Sequence, residues 1–261
     1  MKPELLIGIL IPLLGTVLGA ATVFFLKHDM SHRLQGALSG FAAGVMCAAS
    51  FFSLLLPGLQ MAQDQKQNVI LTIGLGFMAG MLFLLVLDLL VPHMHPGREE
   101  KNQSRNALSR STKLLLAVSL HNLPEGMVVG VLFAGWLHGQ AYLSLAGALA
   151  LSVGIALQNF PEGAIVSLPL RAEGMNRPKT FLMGVLSGII EPVGAVLTIL
   201  FSSQFLPMLP ALLAFAAGAM FYVVVDELVP VMHDAEENGH IGPVVFAVGF
   251  VLMMSLDVLF G

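Results

Sequence analysis

The sequence predicts an all-α polytopic membrane protein of eight transmembrane helices organised as an inverted repeat. Three observations carry this. Apolar residues make up 56% and charged residues only 11% of the 261 positions, and the mean hydropathy is +0.86, which excludes a water-soluble globule. Eight apolar stretches are each long enough, at about 20 residues, to cross the hydrocarbon core. Short sequences also recur in stretches that run in opposite directions, a common way to build a carrier.

The stretches fall at 5–26, 36–58, 69–91, 113–135, 141–168, 180–202, 208–229 and 241–260, and we read 1–261 as one transporter domain. The first follows Lys2 and Glu4 and is too long for a signal-peptide core, so it reads as a retained span. The second holds Cys47, the single cysteine, so neither a disulfide framework nor a thiolate metal site is available. After the third comes the longest connection, 92–112, polar, charged and expected in the cytoplasm. The fourth and fifth are joined by a short turn flanked by Trp136 and Tyr142, where an interfacial aromatic belt would place them.

Basic residues set the orientation. Ten of the twelve Lys and Arg follow spans one, three and five, against Lys2 and Lys66 on the other side. The positive-inside rule then puts both termini outside the cytoplasm.

The repeat is visible in two places. Phe41-Ala-Ala-Gly-Val-Met46 in span two returns as Phe215-Ala-Ala-Gly-Ala-Met220 in span seven, and a Pro-Glu-Gly motif occurs in both spans four and five. A further likeness, Asp88-Leu-Leu-Val-Pro92-His93-Met94-His95 against Asp226-Glu227-Leu-Val-Pro230-Val-Met232-His233, marks the cytoplasmic ends of spans three and seven. Gly40 and Gly44, Gly76 and Gly80, and Gly184 and Gly188 have the four-residue spacing that suits close helix packing.

The paired motif carries the chemistry. It reads His121-Asn122-Leu-Pro124-Glu125-Gly126 and again Gln158-Asn159-Phe-Pro161-Glu162-Gly163. On a helix, His121 and Glu125 lie about 40° apart, with Asn122 roughly 60° further round, so all three share a face. Pro124 and Pro161 cannot donate to the carbonyls of Leu120 and Leu157, so each helix is expected to kink and free an acceptor there.

Seven carboxylates lie within or at the ends of spans: Asp88, Glu125, Glu162, Glu191, Asp226, Glu227 and Asp257. Glu125, Glu162 and Glu191 are the deepest, and no Lys or Arg lies deep in a span to meet them. They need protons or an exogenous cation. One imidazole, several neutral amide oxygens and no sulfur suit Zn²⁺, Fe²⁺ or Mn²⁺ better than Cu⁺. Asp88, His93, His95, Asp226, Glu227 and His233 are candidates for a path to the cytoplasm, alongside ordinary interfacial roles. Two rivals remain at this point. An intramembrane metal-dependent hydrolase lacks the His-Glu-x-x-His pattern, and a proton or cation channel would use the glutamates without metal.

With Glu191-Pro192 in the sixth span, these motifs resemble the signature of the ZIP (Zrt/Irt-like protein) metal transporters, particularly their prokaryotic branch. The resemblance implies a carrier, not an enzyme, with a binuclear centre between spans four, five and six. His121, Glu125, Gln158 and Glu162 would form one site; Asn122, Asn159 and Glu191 would form the other, with Glu125 and Glu162 bridging. Asn159 stands where some relatives have Asp, which lowers the charge of the second site. The resemblance further implies uptake of zinc first, and of iron, manganese or cadmium, across the inner membrane into the cytoplasm. The metal is substrate and no catalytic cofactor is implied. The partners implied are metal ions, the bilayer and a second copy in a homodimer, with no nucleic acid.

Overall fold

The computed structural model describes residues 2–25, 31–90, 110–172, 174–234 and 240–260. Among the described residues there is no strand; every element is a helix. Helix α1 (Pro3–Ala20) begins with proline at its first position and Glu4 in its first turn, both suited to the donor-rich, electropositive helix start. It closes in a 3₁₀ turn, Ala21–Phe24. Helix α2 (His32–Ala48) is capped by Ser31, whose hydroxyl accepts from the Leu34 N–H at 3.3 Å. It continues through a π-helical segment, Ala49–Leu55, into α3 (Leu56–Asp64).

Helix α4 (Val69–Leu90) starts at Asn68, which caps the Leu71 N–H at 3.2 Å. Helix α5 (Arg110–Leu137) runs on through Pro124. A short turn, with Gly139 at φ +69°, leads to α6 (Leu145–Ala172), where Ser144 caps Gly147 at 2.8 Å. The sixth span is broken: α7 (Arg177–Gly188), capped by Asn176, stops at Ile189, and α8 (Ile190–Phe205) restarts with Glu191 and Pro192 in its first turn. The seventh comprises α9 (Leu209–Val223), a π-helical segment Val224–Leu228 and α10 (Val229–Asp234). Helix α11 (Ile241–Phe260) is the eighth.

Seven of these passes are long and apolar enough to cross a membrane, and α5, with its apolar part at Asn122–Leu137, supplies the remaining one. Helices therefore lie along all eight expected stretches, with shifted ends. The second extends over His32–Asp64, well past 58. The helices stay continuous through Pro124 and Pro161, where kinks were expected, and an interruption falls at Ile189. Pro192 falls in the opening turn of α8, where a missing N–H leaves nothing unpaired. Pro57 and Pro230 are each the second residue of the α-helix that follows a π-helical segment. A widened turn relieves the pressure of a proline ring on the carbonyl four residues back.

Four helix pairs pack most closely: α1 with α6, α5 with α8, α2 with α11, and α4 with α9. Exchanging span one with six, two with seven, three with eight and four with five maps this set onto itself. The glycine contacts obey the same rule. Gly163 meets the main chain of Thr16 while Gly126 meets that of Glu191; Gly19 meets Phe160 while Gly194 meets Leu123; Gly249 meets Phe41 while Gly80 meets Phe215. In all six, a Cβ would run into a main-chain or side-chain atom of the facing helix, so close approach requires glycine. Each Pro-Glu-Gly motif thus ends in the residue that lets its helix seat against a partner. The inverted repeat is real at the level of individual contacts. The likeness between the ends of spans three and seven is of another kind, because α4 and α9 are packed neighbours and not repeat mates.

Met46 and Met220, the last residues of the two Phe-Ala-Ala-Gly-x-Met sequences, are fully buried in the central apolar cluster together with Phe133, Leu151, Ile155 and Leu213. The bundle of α1, α5, α6, α7 and α8 holds the paired motifs. It meets the remaining helices where α6 packs on α2 and α11, and α5 on α9.

Candidate metal centre

Asn122 and Glu125 from α5, Gln158 and Asn159 from α6 and Glu191 from α8 are all buried, none more than 2% exposed. Glu162 of α6 is half-buried. Its carboxylate acts electrostatically on both Glu125 and Glu191, so the three deep glutamates form one group. His121 is described at backbone level only, one turn before Glu125 in α5.

The hydrogen bonds orient these side chains. The amide of Gln158 donates to Glu125 Oε1 at 2.5 Å. Asn122 donates to the Ser187 carbonyl at 3.1 Å and to Glu191 Oε1 at 3.3 Å, and Glu191 Oε1 also accepts from the Thr16 hydroxyl at 2.9 Å. Asn159 donates to the Pro12 carbonyl at 3.5 Å and lies close to the carboxylates of Glu125 and Glu191. Each motif asparagine is thereby tied to a main-chain carbonyl of a facing helix, Ser187 for one copy and Pro12 for the other. These are the same relation under the repeat.

With the amide nitrogens so engaged, the acceptor atoms are left over. Glu125 Oε2, Glu191 Oε2, Asn122 Oδ1, Gln158 Oε1 and Asn159 Oδ1 are buried with no hydrogen-bond partner. Five orphaned oxygens at one place, two of them on carboxylates, are a cost of about 1–3 kcal/mol each if nothing meets them. A positive charge from the chain is not at hand: no Lys or Arg occurs between Lys113 and Arg171, or after Lys179. Helix α8 begins at Ile190, so its electropositive end lies at Glu191 in the first turn. Oxygen-rich, water-poor and acidic, the group is suited to a divalent cation. Among the described residues, no three His, Cys, Asp or Glu side chains make a ready ligand set on their own; the donors that converge are carboxylates mixed with amides.

The second set of predicted residues divides. Asp88 shares a hydrogen bond with Tyr222, and Asp226 and Glu227 act electrostatically on the same phenol, so these four gather between α4 and the π-helical segment after α9. His233 is exposed, its Nδ1 3.4 Å from the Val229 carbonyl. His93 and His95 lie outside the described residues.

Four participants escape sequence reasoning: Thr16, the Ser187 and Pro12 carbonyls and Tyr222. A single threonine in an apolar span has no spacing signal, and a carbonyl has no sequence signal at all.

The family described as ZIP zinc transporter matches residues 4–113 and 97–257. The chain is 40% identical over 253 residues to the zinc transporter ZIPB of Bordetella bronchiseptica, covering 95% of this chain and 78% of that one. It is 35% identical over 252 residues to the zinc transporter GufA of Myxococcus xanthus, covering 95% of both. To the zinc transporter ZupT of Shigella dysenteriae it is 34% identical, over 88% of this chain and 90% of the other. Likeness of this extent, over a bundle whose repeat mates share their packing contacts, shows that the chain belongs to the ZIP zinc transporter family.

Proposed function

We propose that the chain carries zinc across the cytoplasmic membrane into the cell through the buried group on α5, α6 and α8. The five unpartnered buried oxygens are the observation that carries this reading. Membership of a transporter family removes the hydrolase alternative. Gln158 and Asn122, each with its nitrogen donated away, present their oxygens beside Glu125 and Glu191. Together with His121, Asn159 and Glu162 they make up the two-ion centre, with Glu125 and Glu162 as the bridging carboxylates. Iron, manganese and cadmium are further cargo for the same oxygen-rich set.

An arriving ion displaces protons or water from Glu125 and Glu162 and is released past Asp88, Asp226 and Glu227 once the bundle of α1, α5, α6, α7 and α8 shifts against the rest. Both termini face outward, as the basic loops require. Helices α4 and α11, whose apolar windows are only 11% buried, offer surface to lipid and to a second copy in a homodimer.

Zinc uptake into proteoliposomes by Glu162→Ala tests the reading. Loss of flux is expected, and undiminished flux overturns it. Zinc absent from wild-type protein purified without chelator, with proton flux retained, would replace the carrier by a proton pathway.

A further inference from the structure

We infer that Thr16, on α1, is a positioning residue that fixes Glu191 so that only one of its carboxylate oxygens is available to the metal. The inference rests on the two-ion reading above and deepens it. Under the repeat, the contact of Gly126 with the Glu191 main chain corresponds to that of Gly163 with the Thr16 main chain. The Asn122 bond to Ser187 corresponds to the Asn159 bond to Pro12. Thr16 therefore occupies the place in the first half that Glu191 occupies in the second. A carboxylate there would complete a symmetric pair; a hydroxyl does something else.

Thr16 is 1% exposed, and its hydroxyl donates to Glu191 Oε1 at 2.9 Å. That oxygen also takes the Asn122 amide at 3.3 Å, whereas Oε2 is buried and takes none. One oxygen of Glu191 is thus committed to the protein and the other is presented. The same bond turns Asn122 so that its own Oδ1 is left over, which couples Thr16 to a second donor of the same ion. The two copies of the motif are therefore unequal in a second respect besides His121 against Gln158: one half brings a carboxylate, and the other brings the group that orients it.

The test is equilibrium zinc binding to the purified full chain in detergent, by competition with a chromophoric chelator. Thr16→Val keeps the volume and removes the hydroxyl; Thr16→Ser keeps the hydroxyl and removes a methyl. Wild type is expected to bind two equivalents. Thr16→Val should weaken one of them by about tenfold, the effect of losing one hydrogen bond to a charged group, while Thr16→Ser stays within about twofold of wild type. In a Glu191→Gln background the same Thr16→Val change should add nothing, which a double-mutant cycle reads directly. Unchanged binding by Thr16→Val, equal loss in Thr16→Ser, or full additivity with Glu191→Gln would each overturn the inference while leaving the two-ion reading in place. Fewer than two equivalents on wild type would overturn that reading, and this inference with it.

Discussion

The carboxylate of Glu125 and the amide of Gln158 meet at 2.5 Å, joining the first copy of the motif on α5 to the second on α6. The bond is across the repeat: Gln158 stands where His121 stands in the other half, and Glu125 where Glu162 does. It fixes which oxygen of each residue is free, so neither side chain is replaceable by one of similar size. Gln158→Leu should lower zinc uptake in proteoliposomes by about tenfold or more, because it strands a buried carboxylate oxygen and removes a donor. Glu125→Gln should do at least as much. Flux near wild type in both would contradict the assignment.

The glycines that end the two motifs make a matched pair. A Cβ on Gly126 would strike the Glu191 carbonyl, and one on Gly163 the Thr16 carbonyl. Gly126→Ala and Gly163→Ala should each cost about 1–3 kcal/mol of stability, through forced separation of α5 from α8 and of α6 from α1. Thermal melting in detergent reads both. Gly74, with nothing within 4 Å of the site a Cβ would take, is the control expected to melt like wild type.

Zinc should stabilise the folded chain by mass action, by about 2.7 kcal/mol when the ion is present at a hundred times its dissociation constant. The shift in melting temperature should vanish on chelation and be largely absent in Glu125→Gln. A zinc-dependent shift of full size in that variant would place the binding elsewhere.

Much of the centre was legible because polar residues in an apolar helix stand out and their spacing puts them on one face. Asn122, Glu125, Gln158, Asn159 and Glu191 do come together. What was not legible depends on the partner helix. Thr16 acquires its role only from α1 lying against α6 and beside α8, and Tyr222 only from facing Asp88. Kinks were expected at Pro124 and Pro161; the helices run on through both, and the break at Ile189 was not foreseen. Proline forbids one hydrogen bond, and the neighbouring turns of a long packed helix absorb that; where the chain stops and restarts is decided by packing.

Outside the membrane, Tyr142 donates to Asp64 at 2.6 Å, joining the turn between spans four and five to the end of α3. That bond, more than burial, raises the phenol above the usual tyrosine value. The link is intact below the ordinary pKa of about 10 and is lost as pH rises through the raised one. The chain holds only two tyrosines, so ultraviolet titration can assign the step: Asp64→Asn should bring it to lower pH and Tyr142→Phe should remove it. A step unmoved by Asp64→Asn would break the assignment.

The two asparagines of the centre hang from carbonyls, those of Pro12 and Ser187, and a carbonyl is supplied by whichever amino acid occupies the position. The framework that aims the two asparagine amides is consequently indifferent to side-chain identity at those two points, as the difference between a proline and a serine already shows. Mutational drift in α1 and α7 can then alter volume and polarity around the centre while the aim of the amides persists, so long as the helices themselves hold their course.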